Sequence, residues 1–162
     1  MLRRDFVSLL GTAACATFGA PGLVHAADAP TIVLVLVTSK ELQVRDISFG
    51  VARRAFLGDP TELGGRRLVP FNYPVGDPLR QAFDKLLLGM GPDEMGRYWV
   101  DRRIRGQGMP PKTAPSRDLM RAIVGRVPGV LGYLTADFLD GSVQPLTIDG
   151  KRHTDAGYPL LR

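Results

Sequence analysis

Residues 76–83 read GDPLRQAF, a short turn of glycine, aspartate and proline that opens an amphipathic helix. Free backbone N–H groups and the positive end of the helix dipole meet at such a start, so it can hold an anion. The simpler interpretation is a helix start alone, in which Asp77 caps the helix and Pro78 takes its first position. Arg80 is the one cation of the stretch, although at a helix start it is as easily a surface residue.

Residue types that support catalysis or metal binding are sparse in the rest of the chain. Cys15 is the only cysteine, and His153 is the only histidine after residue 26. A serine nucleophile would need His153 and an acid beside it, but no nucleophile-elbow sequence is present. One histidine with scattered carboxylates gives no metal-ligand spacing, and no GxxxxGK[ST] phosphate loop occurs. We therefore expect a protein that is not an enzyme and that has no cofactor and no metal site.

The beginning of the chain has the composition of an export signal. Arg3 and Arg4 precede residues 6–27, a stretch that contains no Asp, Glu, Lys or Arg. The run RRDFV resembles a twin-arginine signal, and the small residues of VHA suit signal peptidase. We expect residues 1–26 to be cleaved after Ala26, which places the mature protein in a bacterial periplasm. The general secretion route stays open. A membrane anchor is the alternative, but glycines and a proline dilute the hydrophobic stretch.

Length and charge limit the remaining function classes. The chain has 162 residues and a formal net charge of +5, which becomes +4 without the two arginines and one aspartate of the signal. This length suits one domain, and we assign residues 27–162 to it. Basic pairs such as Arg53-Arg54 are spread among acids, without a helix-turn-helix pattern or an aromatic-rich strand. We interpret them as solvated surface and expect no nucleic-acid partner.

Strands and helices alternate along the chain, which predicts the α/β class. Residues 31–37, TIVLVLV, are apolar throughout and indicate a strand in the middle of a sheet that helices cover on both faces. The later predicted elements are a helix from the cap Ser48 to Phe56, a strand at 67–71, a helix after the cap Asp77, a helix from Pro92 to about Arg103, a loop at 106–115, a helix after the cap Ser116, and strands at 130–134 and 143–148. Residues 151–162 predict a loosely held tail.

Several segments together carry a family resemblance. In chain order they are Phe56-Leu57-Gly58, Leu68-Val69-Pro70, Pro78 to Phe83, Leu88-Gly89, Tyr98-Trp99, Gly106 to Pro111, and Pro128 to Tyr133. Their order and spacing resemble the substrate-binding proteins of phosphate ABC importers, and more closely a short group whose members contain about one lobe. The resemblance implies a three-layer lobe of the type II periplasmic binding protein fold, with a mixed, mainly parallel sheet flanked by helices. It also implies a solute-binding module whose full-length relatives close two lobes over an oxyanion.

The GDPLRQAF turn corresponds to a ligand-binding turn in the proteins that the chain resembles. In phosphate binders this turn generally carries an arginine shortly before Ser-Gly-Thr, whereas this chain has Asp77-Pro78-Leu79 and no arginine in residues 71–75. The candidate ligand-binding residues are Thr38 and Ser39, at the carboxyl end of the first strand, and Asn72, Gly76 and Arg80 around the turn.

Two functions stay open at this stage. The first is binding of an oxyanion such as phosphate, or of another small solute, with a homodimer interface in place of the missing lobe. The second is an interaction or sensory-accessory protein that has kept the fold and lost the ligand. A membrane transporter or receptor is the expected partner.

Overall fold

The computed structural model describes residues 31–162, and the predicted export signal at 1–26 lies outside the described residues. The strands are β1 (Leu34–Thr38), β2 (Asp46–Ile47), β3 (Glu62–Leu63), β4 (Arg66–Arg67), β5 (Val69–Asn72), β6 (Lys112–Thr113), β7 (Val130–Thr135), β8 (Gln144–Pro145) and β9 (Thr147–Ile148). The helices are α1 (Phe49–Phe56), α2 (Pro78–Phe83), α3 (Pro92–Ile104) and α4 (Arg117–Arg126), with a π-helical turn at Asp84–Leu88 and 3₁₀ turns at Lys40–Leu42 and Ala136–Phe138.

The central sheet has the order β6-β5-β7-β1-β8 and is mixed. β5 pairs in parallel with β6 and with β7, whereas β1 pairs antiparallel with β7 and with β8. Every residue of β1 and of β7 is buried, as expected for strands that are covered on both faces. The predicted α/β class with helices around a mixed sheet is confirmed.

Two adjacent residues of β7 show the three layers. Gly132 faces α4, since a Cβ atom built on it would lie 2.7 Å from Met120 Sδ and 2.8 Å from Val124 Cγ2. Tyr133 points to the opposite face, because successive residues of a strand alternate. Its ring stacks on Phe83 with 3.7 Å between ring centroids and meets Phe56 edge-on at 6.1 Å. Helices therefore cover both faces of the sheet.

The helix starts follow their sequence signals. The predicted caps Ser48, Asp77 and Ser116 each accept a backbone N–H at the beginning of the helix, at 3.2, 2.8 and 3.1 Å. These three predictions are confirmed, and Pro78 occupies the first position of α2. Among the helices of residues 31–162, none has the length and apolar character that a membrane crossing requires.

The last five residues of the chain pack against the start of the central sheet, so the prediction of a loosely held tail at residues 151–162 is wrong for residues 158–162. The backbones of Ile32 and Arg162 exchange two hydrogen bonds of 3.0 Å each, and Leu34 N donates to Leu160 O at 3.0 Å. Tyr158 and Leu160 are buried in the hydrophobic core. The reason is that pairing with the residues before β1 orders this segment, and so short an extended pairing leaves no periodic pattern in the sequence.

Two further elements differ from their predictions. The strand predicted at 143–148 is split, because β8 pairs with β1 while β9 pairs with β2 in a separate two-stranded sheet. The predicted loop at 106–115 contains β6, which pairs with the end of β5 and so forms an edge of the central sheet. Both differences arise from strand pairing across the chain, which local composition does not encode.

A candidate ligand-binding cavity

A cavity of about 270 Å³ lies between α3, the turn that leads into α2, and the loop before β6. Its apolar walls are formed by Val75, Pro92, Met95, Trp99, Pro110 and Pro111. Met95 and Trp99 are four residues apart in the sequence, so both lie on the same face of α3. The two prolines lie in the Gly/Pro-rich segment that is part of the family resemblance. The cavity combines apolar walls with a few polar groups, as ligand sites commonly do.

The charged groups of the cavity are Arg80 and Asp84, which form an ion pair. Arg80 Nε lies 3.3 Å from Asp84 Oδ2, and the two side chains are only 11% and 7% exposed. Arg80 Nη1 also donates to the backbone carbonyl of Tyr73 at 3.0 Å. Arg80 therefore ties α2 to the end of β5, and the pair presents one positive and one negative charge to the cavity.

The Asp84 carboxyl group is not fully satisfied by this pair. Burial raises the pKa of Asp84 above its ordinary value of 3.8, and the charge and hydrogen bond of Arg80, with a smaller effect of the nearby Asn72 side chain, oppose that rise. Asp84 Oδ1 is buried and has no hydrogen-bond partner within residues 31–162. Trp99 Nε1, whose side chain forms another wall of the cavity, is also buried and has no hydrogen-bond partner in the described part of the chain.

A buried hydrogen-bond network supports the cavity from the sheet side. Asn72 Oδ1 accepts the Tyr133 hydroxyl and, at 3.0 Å, the backbone N–H of Tyr73. The Tyr73 hydroxyl donates to the carbonyl of Tyr133 at 3.1 Å. Burial raises the pKa of Tyr73 to about 12 and raises that of Tyr133 as well, so both phenols are neutral donors at physiological pH. Asn72 thus fixes the end of β5 on β7.

The five predicted ligand residues fall into two groups. Gly76 and Arg80 line the cavity, and Asn72 lies behind it in the buried network. Thr38 and Ser39 lie elsewhere: Thr38 Oγ1 donates to the carbonyl of Val130 at 3.0 Å, at the start of β7. Because β1 runs antiparallel to β7, its carboxyl end lies at the opposite edge of the sheet from the carboxyl end of β5.

Ser39 and Asp77 both use their side chains as caps. Ser39 is buried, and its Oγ accepts the backbone N–H of Glu41 at 3.3 Å. Asp77 Oδ1 accepts the backbone N–H groups of Leu79 and Arg80 at 2.8 and 3.4 Å. The first amides of α2 therefore already have an acceptor, as the helix-start interpretation of GDPLRQAF requires. An anion at this turn would have to displace a carboxylate.

The sequence does not predict the cavity residues that lie outside the turn at 76–80. The helical pattern puts Trp99 on the inner face of α3, and it is indeed largely buried, but it also forms a wall of the cavity. Asp84 is absent from the predicted ligand residues, although its spacing of four residues from Arg80 on one helix is a recognised ion-pair pattern. The loop prolines give no signal of their own.

The mixed sheet with helices on both faces is a three-layer α/β arrangement, and its fold is similar to that of several solved structures. No protein-family model matches the chain. Among solved structures, an ABC-type phosphate transport receptor from Vibrio cholerae superposes with a TM-score of 0.66 at 15% sequence identity, over 82% of this chain and 54% of that one.

Two further solved structures superpose in the same way. A putative phosphate ABC transporter substrate-binding protein with bound phosphate from Clostridium perfringens gives a TM-score of 0.61 at 19% identity, over 76% of this chain and 48% of that one. PstS from Borrelia burgdorferi gives 0.59 at 14% identity, over 82% and 55%. The chain spans about half the length of the structures that it matches. The predicted resemblance to phosphate ABC transporter substrate-binding proteins is confirmed at the level of the fold.

Proposed function

We propose that this chain is an exported, non-catalytic solute-binding module and that its ligand site is the cavity at Arg80 and Asp84. The observation that carries the proposal is the cavity itself, in which apolar walls surround a buried ion pair beside the turn after β5. Folds of this kind bind ligands near the carboxyl ends of strands. The fold shared with phosphate-binding proteins supports binding over catalysis, and it makes phosphate the reference ligand for any test.

The cellular setting is part of the same proposal. The twin-arginine-like sequence of residues 1–26 supports export to the periplasm. A solute-binding module at that location would deliver its ligand to a membrane transporter or a membrane receptor. A second copy of this chain, in a homodimer, would take the place of the part of the matched structures that this chain does not span.

A second candidate function is an interaction or sensory-accessory protein that keeps the fold without the ligand. Two observations favour it. Val75, on the cavity wall, is 84% exposed, and Met109, next to the wall residue Pro110, is 70% exposed. Exposed apolar residues beside a groove suit a protein partner. The amides of α2, in turn, are occupied by Asp77 instead of being free for an anion.

Ligand-induced stabilisation separates the two candidates. The protein is expressed with its own signal and purified from the periplasmic fraction, which also tests export. Its thermal midpoint is then measured with phosphate, with sulfate and with small uncharged organic solutes. A ligand at about a hundred times its dissociation constant should add about 2.7 kcal/mol to the free energy of unfolding. If no solute raises the midpoint of a well-folded sample, the solute-binding proposal fails and the interaction function takes its place.

A further inference from the structure

The charges of the cavity cancel each other. Arg80 and Asp84 are the ionisable residues among those that line it, and they are paired with each other at 3.3 Å. An anion that approached the Arg80 guanidinium would also approach the Asp84 carboxylate, and the repulsion would offset the attraction. A cation would meet the same difficulty in reverse. The Arg80–Asp84 pair therefore makes this part of the cavity polar without favouring a ligand of either charge.

Donors for an oxyanion are also scarce around the cavity. Phosphate-type ligands are held at helix starts by several free backbone N–H groups. At the start of α2 the Asp77 carboxylate accepts the N–H groups of Leu79 and Arg80. Arg80 already donates to Asp84 and to the carbonyl of Tyr73. The walls contribute a methionine, a tryptophan and prolines, which favour contact with an apolar molecule, and the uncharged polar side chains of Gln81 and Thr113.

Two unsatisfied polar atoms define the head group that would fit. Asp84 Oδ1 is an acceptor and Trp99 Nε1 is a donor, and both are buried without a hydrogen-bond partner in the part of the chain that the structure describes. Both side chains line the cavity, but neighbouring atoms cover the two polar atoms, so a ligand contacts them only if these side chains turn towards the cavity. A hydroxyl or carboxamide group has both a donor for an acceptor such as Asp84 Oδ1 and an acceptor for a donor such as Trp99 Nε1.

We propose that the cavity selects an uncharged solute with an apolar body and one hydroxyl or carboxamide group, in preference to an oxyanion. This inference rests on the proposed function, because it names the ligand class of the same site. The recognition has two parts. The proline, methionine and tryptophan walls hold the apolar body, and the neutral Arg80–Asp84 pair disfavours net charge on the head group.

Trp99 supplies the readout, since it is the only tryptophan of the chain and forms a wall of the cavity. Its emission is followed while the protein is titrated with benzamide, with benzoate, with benzylamine and with phosphate. The three aromatic probes share one ring and differ in charge. We expect benzamide to give a saturable change with a dissociation constant at least about tenfold below those of the other three.

Asp84→Asn tests the electrostatic part directly. The substitution keeps the size of the side chain and leaves Arg80 as an uncompensated positive charge, so the preference should move by about tenfold from benzamide towards benzoate. Asp93→Asn is the matched control. Asp93 is exposed in the first turn of α3, next to the wall residue Pro92. Its replacement removes the same charge without changing the Arg80–Asp84 pair. The control should keep the wild-type preference.

Each outcome decides between the two proposals. If benzoate or phosphate binds the wild-type protein as tightly as benzamide does, the cavity is an anion site, and this inference is overturned while the solute-binding function stands. If no probe changes the Trp99 emission and none raises the thermal midpoint, both proposals fail. The ranking of the probes on the wild-type protein separates these outcomes even if Asp84→Asn does not fold.

Discussion

Gly132→Ala tests the packing between α4 and the central sheet. A methyl group on Gly132 would lie 2.7 Å from Met120 Sδ and 2.8 Å from Val124 Cγ2, well inside normal contact distance. The methionine side chain is flexible and can move, but the valine in a helix has essentially one rotamer, so α4 itself must shift. Overpacking of this kind costs about 1–3 kcal/mol of folding free energy.

The measurement is equilibrium unfolding in urea, followed by circular dichroism and by the emission of Trp99. The variant should show a lower midpoint with an unchanged slope, because the cost lies in the folded state. Gly50→Ala is the matched control: Gly50 lies in the first turn of α1, and a Cβ there would meet nothing within 4 Å. It should be neutral or stabilise the protein by up to about 1 kcal/mol.

A second substitution locates the strain. Val124→Ala in the Gly132→Ala background removes the Cγ2 atom that the added methyl group would meet, so the double variant should lose less stability than the two single effects predict together. A Gly132→Ala protein as stable as the wild type would refute the close packing of α4 on β7. Strict additivity in the double variant would place the strain somewhere other than at Val124.

Three further predictions concern the cap, the network and the ion pair. Asp77→Ala should lower the free energy of unfolding by about 1 kcal/mol through loss of the α2 cap, and Asp77→Asn should restore most of it; urea midpoints of both decide. Tyr133→Phe leaves the Asn72 carbonyl without its hydroxyl donor and should lower the free energy of unfolding by about 1–3 kcal/mol. An unchanged urea midpoint would contradict a stabilising role of this network in the core. Burial raises the pKa of Asp84 in the folded state, so the folded protein holds that proton more tightly than the unfolded chain does. The free energy of unfolding should therefore fall as the pH rises from the ordinary carboxyl range through the raised pKa of Asp84. Asp84→Asn should remove this dependence of stability on pH. An equal pH dependence in the two proteins would contradict the burial of this carboxyl group.

Parts of the candidate site can be predicted from the sequence. The sequence predicts Gly76 and Arg80 as ligand-binding residues; both line the cavity, and their contact with a ligand stays a prediction. The role of Asp77 as a cap is also predictable, since a cap needs only residues two or three positions away. The i, i+4 spacing of Arg80 and Asp84 indicates an ion pair, but nothing in the spacing shows that the pair is buried.

The sequence alone determined what short-range chemistry controls in this protein: the capped starts of its helices, the wholly apolar β1, the alternation that makes the fold α/β, and the segments that resemble phosphate-binding proteins. The capped helix starts and the apolar strand depend on side chains within a few residues of one another, whereas the alternation and the resemblance depend on the order and spacing of segments along the chain. Only the tertiary structure decided that β1 runs antiparallel to β7, which carries Thr38 and Ser39 away from Asn72 and Arg80. It also decided that residues 158–162 close against the start of β1, and that Trp99 meets the Arg80–Asp84 pair across one cavity. The physical reason is the same in each case: strand direction and long-range packing are fixed by how buried surfaces and backbone hydrogen bonds are satisfied over the whole chain.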